Sequence, residues 1–96
     1  MSEAEDVFAE QVARWRATSY EELKQDLDDS VAYEVAGSDG VSYQFEVLVV
    51  WDHPRERIHL RVFLAGDDGK GWRMRGLRED SFIKAPDGSF VGEDGA

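Results

Sequence analysis

Three Asp-Gly pairs sit at the same offset in "GSDGV" (37–41), "GDDGK" (66–70) and "APDGS" (85–89), each bordered by alternating apolar residues. A three-residue hairpin loop needs a type I turn followed by a left-handed residue, and glycine takes that position without steric cost. Aspartate suits the preceding position, and Pro86 suits the first turn position. A tight turn fixes strand register, so these short segments constrain the fold more than any other feature. With Gly40 in the left-handed position, Val35 pairs with Tyr43, Tyr33 with Phe45 and Val31 with Val47. With Gly69 treated alike, Leu64 pairs with Trp72 and Val62 with Met74. Both registers gather apolar residues on one face, so turn chemistry and hydrophobic pattern agree.

From Val31 onward the apolar period is two. Val31, Tyr33 and Val35 form one run, Tyr43 to Trp51 a second, Ile58 to Leu64 a third, and Trp72 with Met74 a fourth. These predict half-buried strands. Residues 3–28 have the helical period instead. Ala4, Phe8, Val12 and Trp15 make one stripe widened by Val7, and Tyr20, Leu23 and Leu27 make a second. Ser2 with Glu5, and Ser19 with Glu22, fit capping boxes, so a bend near Thr18–Ser19 is expected. Glu10 precedes Arg14 by four residues, the favourable order for a helical ion pair.

The predicted fold class is α+β. An N-terminal helix or bent helix pair packs on one face of a four-stranded antiparallel meander over 31–77, followed by a short C-terminal hairpin over 81–92 and a loose tail at 93–96. Residues 1–96 read as one domain. Phe82, Ile83, Phe90 and Val91 of the last hairpin require burial, either by extending the sheet or by folding under its second face.

The stretch "VVWDHPRERIH" (49–59) gathers the side chains best suited to chemistry. If Val49 faces Leu60 and Val47 faces Val62, the loop is "HPRE", with Pro54 at the first turn position and Asp52 opposite Arg57 as a closing charge pair. That arrangement separates His53, in the turn, from His59, which then lies opposite Val50. A metal site needs three or four converging ligands, and cysteine is absent, so no metal or other cofactor is expected. No serine sits in a strained elbow of the kind nucleophilic hydrolases use.

The second sheet face carries the more useful signal. It is expected to hold Leu48 and Val50 beside Arg57, His59, Arg61 and Phe63, then Arg73 and Arg75. Arg61 would stand opposite Arg75 and Phe63 opposite Arg73, an arrangement that calls for a nearby anion. Glu46, Glu79 and Asp80 are internal candidates, and an acidic partner is an external one.

The net charge of −10 opposes non-specific binding to nucleic acid, and no strand carries the basic-aromatic motif of RNA-binding sheets. No apolar run is long enough to span a membrane, and the acidic opening lacks a signal-peptide core, so a soluble cytoplasmic protein without a membrane partner is expected. The sequence favours a protein–protein binding or regulatory module using the arginine-rich second face. One alternative is an immunity-type or inhibitor protein that masks a basic partner with the acidic helices (Glu3, Glu5, Asp6, Glu10, Glu21, Glu22, Asp26, Asp28 and Asp29). Another is a small-molecule or anion sensor, and a homodimer through the second face is a further option. An enzyme is least favoured, since only His59 with Asp52 or Glu46 offers an acid–base pair.

Overall fold

The structure, a computed structural model, describes residues 3–67 and 78–93. Two helices, α1 (Glu3–Ala17) and α2 (Tyr20–Gln25), precede four strands: β1 (Ser30–Ala36), β2 (Ser42–Trp51), β3 (Leu60–Asp67) and β4 (Arg78–Lys84). The strands form an antiparallel meander in the order β1-β2-β3-β4, with the helices on one face. This is the α+β architecture expected from the alternation.

The helix break has the predicted cause. Ser19 is extended (φ −66°, ψ 156°), and its hydroxyl accepts the Glu22 N–H at 3.2 Å. Helix α2 ends at Gln25, short of the expected 28; Asp26 caps it, and Leu27 bridges instead to Val49. Arg14 does not pair with Glu10. Its guanidinium lies 5.4 Å from the rings of Trp15 and Tyr33 and donates to Gln11 at 3.5 Å.

The first hairpin has the register read from Gly40: Val35 faces Tyr43, Tyr33 faces Phe45, and Val31 faces Val47. Gly40 takes φ +80°, the conformation its turn demands. The β2–β3 hairpin differs. Val47 faces Leu64 and Val49 faces Val62, so β3 is slipped by two residues from the expected pairing. A slip of two preserves the faces, because side chains alternate with period two. The loop is consequently longer, from Asp52 to His59, and is closed by the Asp52 N–H on the His59 carbonyl at 2.8 Å. Inside it, Glu56 and Arg57 both donate to the His53 carbonyl at 3.0 Å, and Arg57 is left-handed (φ 53°). The buried Tyr20 donates its hydroxyl to the Ile58 carbonyl at 2.6 Å, and Ile58 is exposed rather than part of the core strand.

A second correction concerns the strand beside β3. Arg78–Lys84 fills that place, pairing Leu60 with Lys84, Val62 with Phe82 and Leu64 with Asp80. The first arm of the expected C-terminal hairpin thus extends the sheet, one of the two outcomes allowed for it, whereas Trp72 and Met74, expected to face Leu64 and Val62, lie outside the described residues. The "APDGS" turn follows with Gly88 at φ +88°, and the return arm meets β4 through the Lys84–Phe90 bridge. Phe90 meets Phe82 edge-on at 5.7 Å, and Arg16 covers Phe90 at 4.0 Å while pairing with Glu93.

The core lies between helices and sheet, with Leu23, Val47, Val49, Leu60 and Val62 fully buried. Each such side chain contributes about 1.5–3 kcal/mol relative to exposure. Lys84 points to the same side and is 5% exposed. Its ammonium donates to the carbonyls of Arg16 at 2.7 Å and Thr18 at 2.6 Å, satisfying groups that the end of α1 leaves open. Burial, and secondly the Arg16 charge, hold the Lys84 pKa below the ordinary lysine value.

Candidate functional site

With the helices on one side, residues of opposite parity face outward, and the pairing arranges them in cross-strand rows. One row is Ala32, Glu46, Ala65 and Glu79; the next is Ser30, Leu48, Phe63 and Ser81; a third is Val50, Arg61 and Ile83. Beyond the first row, Glu34 accepts from the side-chain amide of Gln44 at 2.8 Å. No described helix crosses this face.

Leu48 and Phe63 face each other on the two central strands and are 37% and 42% exposed. Val50 and Ile83, both half-buried, flank Arg61 in the neighbouring row. The Arg61 guanidinium lies 5.7 Å from the Phe63 ring, within cation–π range. Its Nε donates to Asp52 Oδ1 at 2.9 Å, and the Asp52 side chain is only 12% exposed. Arg61 is thus neutralised by the residue that was expected to pair with Arg57.

Of the residues singled out from the sequence, Leu48, Val50, Arg61 and Phe63 come together on this face. Arg57 does not join them through a strand: it sits in the 52–59 loop, exposed, with its Nε directed to the Pro54 carbonyl at 3.3 Å. His59 is half-buried just before β3 and lies near the 85–89 turn, where its charge adds a little to a larger effect on Asp87. There the Ser89 hydroxyl and then the Ser89 N–H hold the Asp87 carboxyl below its usual value. Arg73 and Arg75 lie outside the described residues, and the opposition expected for them is occupied otherwise: Ile83 faces Arg61 and Ser81 faces Phe63. Glu79, Ser81 and Ile83 complete the face; Ser81 and Ile83 belong to the arm expected to open the C-terminal hairpin, and Glu79, just before it, was missed as a strand position. Their signal was the alternation of outward Ser81 and Ile83 with inward Phe82 and Lys84.

The electrostatics of the face are acidic. Among the described residues, the side chains of Glu46 and Glu79 make no ion pair or hydrogen bond, and Ala65 separates them. The short Ala65 side chain leaves a depression of about 540 Å³, bordered by Glu46, Leu48, Phe63, Glu79 and Ser81. Asp52 engages Arg61 and, at 3.4 Å, His53, while it meets His59 through the backbone. Among the described residues no three histidine or carboxylate side chains gather as metal ligands do, and no helix is long and apolar enough to cross a membrane.

The class of molecule is defined by this architecture: a small α+β domain with one sheet face under helices and no described helix on the other. Comparison with protein-family models, with curated proteins and with solved structures finds no match to this chain.

Proposed function

We propose that this protein is a small protein-binding module that engages its partner through the outer sheet face, around Leu48, Val50, Phe63 and Ile83. The observation carrying this reading is the Leu48–Phe63 pair, two large apolar side chains set side by side on the central strands and each more than a third exposed. An apolar patch rimmed by polar residues is the usual form of an interaction surface, since a folded chain gains nothing by exposing it. Arg61 over Phe63 adds the arginine–aromatic combination enriched where binding energy concentrates.

The sensor reading has one specific support, the depression beside Ala65. Its border carries carboxylates and no described basic residue, so it suits a cationic group and not an anion. Affinity recovery from native lysate, with the wild type and the Leu48→Thr/Phe63→Thr variant side by side, tests the proposal. A partner retained by the wild type and lost by the variant is expected; equal recovery of every partner by both chains would remove the outer face as the binding surface.

A further inference from the structure

We infer that the partner docking on this face presents a basic side chain, lysine or arginine, on either side of an apolar one. The inference rests on the outer face being a docking surface and adds the chemistry of what docks there. Two adjacent rows carry it. Leu48 and Phe63 supply an apolar strip, and next to it Glu46 and Glu79 flank Ala65 across β2, β3 and β4. Two strand spacings separate the carboxylates by roughly 10 Å, with the depression of about 540 Å³ beside them. That volume accepts an aliphatic side chain, and each carboxylate stands at its rim.

Neither carboxylate is engaged by a described side chain. Asp39 and Glu93 are bonded to Tyr43 and Arg16, Glu3 holds Ser38, and Asp52 holds Arg61, whereas the side chains of Glu46 and Glu79 bond to no described residue. Carboxylates whose side chains bond to no described residue and border an apolar strip are complementary to a cationic-apolar partner. A second copy of the chain is a poor fit, because it would bring the same row and the same net charge of −10 to the interface. Nucleic acid is repelled by the same charges. The acidic helices offer carboxylates such as Glu21 and Glu22 on an exposed surface, but with no exposed large apolar residue among them.

The test is a backbone-amide NMR titration of the full chain with three capped peptides: Lys-Thr-Leu-Thr-Lys, Gln-Thr-Leu-Thr-Gln and Glu-Thr-Leu-Thr-Glu. An extended peptide puts its first, third and fifth side chains on one face, as the two rows require. The lysine peptide is expected to shift amides of 46–48, 63–65 and 79–81, more tightly than the glutamine peptide and with the glutamate peptide silent. Glu46→Gln/Glu79→Gln should weaken the lysine peptide roughly fivefold and leave the glutamine peptide unchanged, whereas Phe63→Thr should weaken both. Equal binding of the lysine and glutamine peptides at these amides would overturn the basic-partner inference and leave the docking face standing. Lysine-peptide shifts confined to the helices would overturn it in favour of the acidic helical surface. No shift from any peptide at millimolar concentration would count against the face itself. Sedimentation of the free chain is expected to show a monomer; a dimer abolished by Phe63→Thr would make a second copy the occupant and overturn the inference.

Discussion

Gly66 shows how one residue sets a local distance. It lies in β3 opposite Phe45, not in the turn that "GDDGK" suggested, and a Cβ there would come within 2.5 Å of the Phe45 ring and 3.2 Å of Phe8. The absent side chain lets the Phe8–Phe45–Tyr33 stack close over the strand. Gly66→Ala is therefore expected to lose about 1–3 kcal/mol by overpacking, measured by urea unfolding; an unchanged midpoint would show that Phe45 moves aside freely. Three carboxylates act at the same scale. The Tyr43 hydroxyl holds Asp39 below its usual pKa, the Ser89 hydroxyl does so for Asp87, and Arg16 does so for Glu93. Because their folded-state values lie below the unfolded ones, their contribution is complete above the ordinary carboxylate range and is lost as pH falls through the lowered values. The unfolding midpoint should fall between pH 7 and about pH 3, and Asp39→Asn should reduce that fall. An Asp39→Asn chain with an undiminished fall would dismiss the role of Asp39.

The elements divide into those readable locally and those held from a distance. The β1–β2 register was legible because Gly40 and the flanking alternation lie together within 31–47 and agree. The β2–β3 register was not. Slips of two satisfy the same alternation, and the loop is widened by Tyr20, whose partner Ile58 is 38 residues away. Strand β4 was obscured for a related reason. Its inward positions include Asp80 and Lys84, and Lys84 is buried only because the carbonyls at the end of α1 receive it. Tyr20→Phe is expected to cost about 1 kcal/mol and to speed hydrogen exchange in 52–59 ahead of the strands. Unchanged exchange there would show that the loop holds its shape without α2.

Across the whole molecule, the helices spend their apolar stripe on one sheet face, and no described helix covers the other. The sequence made Leu48, Val50, Arg61 and Phe63 legible as neighbours on that outer face, since parity survives a slip of two. Its charge was not legible. The arginine-rich character depended on strand partners that β4 replaces with Ser81 and Ile83, and on Arg61 lacking the Asp52 that binds it. What the fold presents is an apolar strip bordered by two carboxylates, and the role proposed for this strip is to engage a partner, not to stabilise the chain. Urea unfolding of the Leu48→Thr/Phe63→Thr chain tests that claim most directly. Threonine suits an exposed strand, so a stability within about 1 kcal/mol of wild type is expected. A loss of more than about 2 kcal/mol, the scale of truncating a core side chain, would show that Leu48 and Phe63 are packed within the chain and would contradict it.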